Sequence, residues 1–160
     1  MTSARAALLA VIFTGVGAAP AFADITGFIG ANTTPKNRHT QGFAVGAGLL
    51  VVGFEFEYGS TPEEPTALAP ALTTGGGNVI VQTPFAIFGF QPYATTGGGI
   101  YRETLGSRSK TGFALNTGGG VKISLLGPVR LRLDYRVFTL GDAALNSPVH
   151  RVYAGLNLKF

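Results

Sequence analysis

The last ten residues, RVYAGLNLKF, restrict the fold more than any other stretch. Val152, Ala154, Leu156, Leu158 and Phe160 fall on one parity; Arg151, Tyr153, Gly155, Asn157 and Lys159 fall on the other. Side chains alternate across a strand, so this segment has one apolar and one polar face. The same pattern is clearest in VRLRLDYRV. There Val129, Leu131, Leu133, Tyr135 and Val137 alternate with Arg130, Arg132, Asp134 and Arg136.

Six further segments complete a series of eight predicted strands. The first spans 25–34, followed by a polar loop over 35–40. The second carries Phe43, Val45 and Ala47 on one face, and the third Phe54, Phe56 and Tyr58 against Glu55 and Glu57. The apolar parity switches between Ala47 and Phe54, which requires a tight turn within 48–53. The longest loop is expected over 59–77. The fourth strand is expected over 78–89, with Val79, Val81, Phe85 and Ile87 together and Pro84 at a bulge. The fifth is placed at 93–103, the sixth at 111–125 and the seventh from Val129, with turns at 89–92 and 126–128, a polar loop over 105–110 and another over 141–148. Strands of about ten residues are long enough to cross a bilayer when tilted. The connections alternate between long and short, as in membrane barrels, where short turns face the periplasm.

Composition agrees. The 160 residues suit one domain; only 12% are charged, and Gly supplies 24 residues, about twice its usual share of about 7%. Residues 1–23 read as a secretory leader: Arg5, an apolar run, then Ala21-Phe22-Ala23 before Asp24. A mature domain over 24–160 is expected, its net charge falling from +4 to +3 with the loss of Arg5. Cysteine is absent, which excludes disulfides, thiolate metal sites and a lipidated N-terminus. The basic residues are not interleaved with aromatic platforms, and nucleic acid is discounted as a partner.

The apolar faces are expected to point outward. The polar parities are rich in Gly, Ala, Ser and Asn, the small side chains that a narrow lumen holds. Glu55 and Glu57 lie on strand three and Arg130, Arg132 and Arg136 on strand seven, opposite sides of an eight-stranded cylinder. A lumenal ion-pair network is predicted from Glu55, Glu57, Lys122, Arg130, Arg132, Asp134 and Arg136, with Arg151 and Lys159 at its edges. A one-residue slip would send the arginines into lipid at roughly 2–4 kcal/mol each near mid-bilayer. Tyr58, Tyr93, Tyr101, Phe113, Tyr135 and Phe160 are expected to form interface girdles. Side chains nearly fill an eight-stranded lumen, so no pore is expected.

With its leader, strand count, loop alternation and the segments FALNTGGGVKI, VRLRLDYRVF and RVYAGLNLKF, the chain resembles the small eight-stranded OmpA/OmpX-type outer-membrane barrels, including the opacity-like surface proteins. The resemblance covers 24–160, without the periplasmic peptidoglycan-binding domain of OmpA. It implies an all-β, eight-stranded antiparallel up-and-down transmembrane β-barrel in the outer membrane. Tyr153, Gly155, Leu158 and Phe160 resemble the C-terminal signal read by the barrel assembly machinery. The implied role is structural or surface-interacting, with no cofactor, metal or catalytic residue. The expected partners are outer-membrane lipids and lipopolysaccharide, whose phosphates would meet Arg38, Arg108 and Lys110, and the barrel is expected to be monomeric. One alternative is a lipid-modifying enzyme using rim residues His39 and His150 with Glu103, Ser107 or Asp142. The close His-x-Ser pair of such a deacylase is missing, since Arg151 and Val152 follow His150. Another alternative is a soluble lipocalin-like carrier with an apolar interior.

Overall fold

The computed structural model describes residues 21–142 and 144–160. Eight antiparallel strands close in chain order into a barrel: β1 Ala21–Asn32, β2 Arg38–Leu49, β3 Val52–Thr61, β4 Ala71–Gln82, β5 Phe90–Leu105, β6 Arg108–Leu126, β7 Val129–Leu140 and β8 Val149–Lys159. β8 returns to β1, with Asp24 opposite Lys159 and Asn32 opposite Arg151. Phe160 N donates to Ala23 O at 2.8 Å, and Ala23 N donates back to Phe160 O at 3.3 Å. Every strand thus has two neighbours, and closure leaves no open edge to hydrate. Residues 1–20 of the predicted leader lie outside the described residues, while Ala21, Phe22 and Ala23 begin β1.

The polarity is inverted relative to a water-soluble domain. Ile29, Phe54, Leu115 and Leu156 are exposed on the outer wall, while Glu55, Glu57, Arg132, Arg136 and Arg151 are buried within. Charged side chains are almost never fully buried unless paired. An apolar outer wall is stable where hydrocarbon surrounds it and a closed sheet satisfies its own backbone. The charged interior also differs from the apolar cavity expected of a lipocalin-like carrier.

At one end the connections are 33–37, 62–70, 106–107 and 141–148; the other end carries both described termini and the turns 50–51, 83–89 and 127–128. The parity switch after Ala47 is a two-residue turn, Leu50-Val51, which pairs Leu49 with Val52 and puts both on the outer face.

Several expected boundaries move. The 59–77 loop shrinks to 62–70, with a 3-10 turn at Pro65–Ala67, because the first glycine triplet stays in β4, Gly76 opposite Gly99 and Gly77 opposite Gly98. Turn-like composition gives way there to a ladder of backbone hydrogen bonds. β4 in turn ends at Gln82, and Pro84, Phe85 and Ile87 belong to the 83–89 turn rather than to a strand. Pro84 has no N–H for a ladder, and the turn closes through Ile87 N to Phe90 O at 2.8 Å and Phe90 N to Ile87 O at 3.0 Å. The expected polar loop over 105–110 is a two-residue turn in which Gly106 adopts φ +58°, so β5 and β6 run on as a long hairpin beyond the end of β7, while β4 stays paired with β5 as far as Thr104. Tyr93 and Tyr101 do not join an interface girdle. Both are buried in the lumen, where their hydroxyls find partners: Asp134 for Tyr93, and Gly141 O at 3.4 Å for Tyr101. Tyr58, Phe113, Tyr135 and Phe160 do face outward.

Candidate functional site

Alternation drives one side chain in two toward the axis, and the lumen fills with polar groups in tiers. Nearest the termini, Lys122 Nζ donates to Asp24 Oδ2 at 2.6 Å and to Gln82 Oε1 at 3.4 Å. Arg130 lies beside them. Its Nε donates to Asn157 Oδ1 at 2.9 Å and its Nη1 to Gln91 Oε1 at 2.8 Å, and its Nη2 reaches Asp24 Oδ2 at 3.5 Å.

The middle tier is built on β3 and β7, which face each other across the lumen. Arg132 forks onto Glu55, Nη1 to Oε2 and Nη2 to Oε1, the second bond 3.1 Å long. Its Nη2 also donates to Asp134 Oδ2 at 3.2 Å and its Nε to the Tyr93 hydroxyl at 2.7 Å. Arg136 extends the chain of charges: Nη2 to Glu55 Oε1 at 2.9 Å, Nε to Asp134 Oδ1 at 3.0 Å and Nη1 to Glu57 Oε2 at 3.0 Å. Glu57 passes the network on to Tyr153, whose hydroxyl donates at 3.1 Å, and to Arg151 Nη1 at 3.3 Å. Arg151 is held further by Asn32 Oδ1 at 3.1 Å and Thr74 Oγ1 at 3.0 Å, and its guanidinium lies 4.4 Å from the Phe138 ring centroid. Three guanidinium groups, Arg132, Arg136 and Arg151, thus meet three carboxylates, Glu55, Glu57 and Asp134. The tier is formally neutral, as burial in low dielectric demands.

The structure brings all seven residues named from the sequence into this lumen. It places Arg151 inside the network rather than at its edge, and leaves Lys159 exposed, outside it. Sequence reasoning missed Asp24, the carboxylate for Lys122 and Arg130, and the lumenal hydroxyls of Tyr93 and Tyr153, which donate to Asp134 and to Glu57 within the middle tier. The available signal was the parity that Asp24 shares with Thr26 on β1, but Phe28 also faces inward and blurs the alternation.

Above the charges an apolar cluster of Leu72, Tyr101, Ala114, Phe138, Leu140 and Val149 closes the barrel. A void of about 10 Å³ remains beside Glu57, Thr74, Asn78 and Phe138, room for about one water. The loops are tied together over this plug. Arg38, expected in a solvated loop, is the first residue of β2 and buried. Its Nη1 donates to Pro62 O at 3.2 Å and to Pro70 O, fastening both ends of the 62–70 loop. It is therefore not placed to meet an external phosphate. Lys36 pairs with Glu64 at 2.9 Å, Glu63 Oε1 accepts from Gly106 N at 2.8 Å, and Glu103 Oε2 accepts from Leu145 N at 2.8 Å.

The rim histidines are not assembled as a catalytic pair. His39 is on β2 and His150 on β8, with β1 between them. His150 Nδ1 lies 2.7 Å from the Tyr135 hydroxyl on the outer wall, whereas Glu103 is turned inward and occupied by Leu145. Ser107 sits at the tip of the β5–β6 hairpin.

The seam between β1 and β8 has its own packing. Tyr153 stands opposite Gly30 and Phe28 opposite Gly155, which lets the two rings stack with centroids 4.1 Å apart. A Cβ on Gly155 would lie 2.7 Å from Gly27 O and 3.0 Å from Phe28 Cβ. Gly155→Val is therefore expected to destabilise closure by about 1–3 kcal/mol. Gly27→Val is the control, because a Cβ there meets nothing within 4 Å. The fraction of heat-resistant, fast-migrating band on unboiled SDS gels should fall for Gly155→Val alone; equal loss in both variants would remove the steric account of the seam. Leu158 and Phe160, the remaining residues of the terminal pattern, face outward.

No protein-family model and no curated protein matches the chain. Solved structures do. The N-terminal β-barrel domain of Pseudomonas aeruginosa OprF superposes with a TM-score of 0.67 at 16% identity, covering 87% of this chain and 97% of that domain. Neisserial surface protein A, NspA, gives 0.59 at 19% identity over 88% and 96%. Ail, the attachment invasion locus protein of Yersinia pestis, gives 0.56 at 13% over 88% and 98%. At these identities the likeness establishes a shared fold, the closed eight-stranded up-and-down barrel.

Proposed function

We propose that the chain is an integral outer-membrane β-barrel with a structural or surface-interaction role in the bacterial envelope, and not an enzyme. One observation carries this reading: the outer wall is apolar and the charges are paired inside, an arrangement suited to hydrocarbon surroundings. The fold shared with OprF, NspA and Ail supports it. In this reading the leader over 1–23 is removed, so the mature β1 begins at Asp24 opposite Lys159 without the Ala23–Phe160 pair, and the Tyr153–Phe160 pattern is presented to the barrel assembly machinery. The end with the 62–70 and 141–148 loops faces outward, following the loop asymmetry of such barrels. The packed lumen argues for a wall rather than a channel, and the tied loops for a compact external cap. Arg108 and Lys110 extend on the β5–β6 hairpin above the barrel, where they are free to meet lipopolysaccharide phosphates. A monomer is sufficient, since closure leaves no strand edge to pair.

The direct test is fractionation. The protein is expected to stay with outer membranes after a urea wash and to shift in migration when boiled in SDS. Release into the soluble fraction would overturn the reading. A lipid-modifying activity using His39 and His150 would show as an altered lipid A acylation pattern when cells expressing the wild type are compared with cells expressing a variant lacking both histidines; an unchanged pattern is expected.

A further inference from the structure

The glycine triplets of β4 and β5 strip the outer wall of side chains at one place. Gly75 and Gly77 on β4 and Gly98 on β5 form the floor of a groove of about 650 Å³, within the range of about 300–1,000 Å³ that small-molecule clefts occupy. Phe56 and Tyr58 wall it on one side and Ile100 on the other. A strand glycine often marks a place where a ligand approaches the backbone closely, and a Cβ on Gly75 or Gly77 would meet nothing within 4 Å. At these two positions internal packing gives no reason for bare backbone, whereas a Cβ on Gly98 would lie 3.2 Å from Leu115 Cδ2.

The groove is not uniformly apolar. At its loop-ward end Thr73, Arg102 and Thr111 stand in one register row across β4, β5 and β6, and all three line it. Arg102 is exposed, and its Nε donates to Ser109 Oγ at 3.0 Å, which steadies the guanidinium. Among the described residues no carboxylate pairs with it. An unpaired, oriented guanidinium flanked by two hydroxyls matches a phosphate, and the bare channel below it matches an acyl chain. We infer that this groove holds one phosphorylated lipid of the outer leaflet, its phosphate on Arg102, Thr73 and Thr111 and an acyl chain over Gly75, Gly77 and Gly98. The inference rests on the outer-membrane reading and gives it a specific lipid contact on the outer wall.

The test uses the full barrel refolded in micelles, with lipid A and the same lipid A stripped of its phosphates as probes, read by native mass spectrometry. One lipid A should be retained per wild-type barrel. Arg102→Gln should lower retention about ten-fold, the worth of a charge-assisted hydrogen bond, and bring intact lipid A down to the level of the dephosphorylated form. Gly77→Leu, which fills the channel, should lower retention of both forms; Gly75→Leu repeats that test at a second position. Equal retention by wild type and all three variants would overturn the inference, as would a barrel dimer abolished by Gly77→Leu, which would make the groove a contact between copies. Unboiled gels keep the two readings apart. A folded, heat-modifiable barrel that ignores lipid A removes the groove alone, whereas a chain that never acquires that fold in micelles removes the membrane reading and the groove with it.

Discussion

Replacing Arg132 with Met is expected to lower the unfolding free energy by about 3–5 kcal/mol, the usual loss when one partner of a buried ion pair is removed. Arg132 is wholly inaccessible to solvent and donates to Glu55 twice, to Asp134 and to the Tyr93 hydroxyl. Methionine keeps much of the volume, so the loss would be electrostatic more than cavity. It would leave Glu55, Glu57 and Asp134 facing only Arg136 and Arg151 and would break the neutrality of the middle tier. Adding Glu55→Gln restores the balance, and the double variant should recover stability relative to the sum of the single losses, a positive coupling in a double-mutant cycle. Urea unfolding in lipid vesicles followed by far-UV circular dichroism is the suitable measurement, since the chain contains no Trp. An unchanged midpoint for Arg132→Met would mean that backbone closure alone holds the barrel and that the ion pairs are incidental.

This tier also shows what the sequence made legible. The strands and their two faces follow from alternation, because Val129 to Val137 never breaks its pattern and Glu55 and Glu57 share a parity. The outward sense of the apolar faces follows from the small residues on the polar parities and the charges segregated on strands three and seven. Alternation does not resolve segments whose two faces look alike. Gly75, Gly76 and Gly77 have no side chain to assign, so alternation places the start of β4 seven residues too late and draws Pro84 into it. Tyr93 and Tyr101 fit an interface as well as a lumen by composition. Only the partners that fold around them, Asp134 and Gly141 O, decide between the two. Arg38 ends the polar run PKNR, and nothing local shows that Pro62 O and Pro70 O converge on it from a loop more than twenty residues away. The pairing of Lys122 with Asp24 joins positions 98 residues apart and depends on closure of β8 on β1, a property of the whole sheet.

Inversion of the faces has a consequence that stability measurements read directly. Leu133 lies midway along β7 on the outer wall, opposite Val121 and Ala154, with 40% of its surface exposed. In a soluble barrel, Arg at such a site would change stability by about 0.5 kcal/mol or less. In a bilayer, Leu133→Arg should cost about 2–4 kcal/mol, whereas the same change near an interface costs about 0–1 kcal/mol. Leu126 provides the second position: it ends β6 beside the 127–128 turn and is 83% exposed. The expected result is therefore a depth-dependent pair, with Leu133→Arg strongly destabilised in vesicles and Leu126→Arg close to wild type. The neighbouring Arg132 makes the contrast sharper, because a guanidinium one residue along the same strand stabilises the barrel by pointing inward. If both leucine variants unfold at the wild-type urea concentration in vesicles, the outer wall does not meet hydrocarbon, and the membrane reading fails with it.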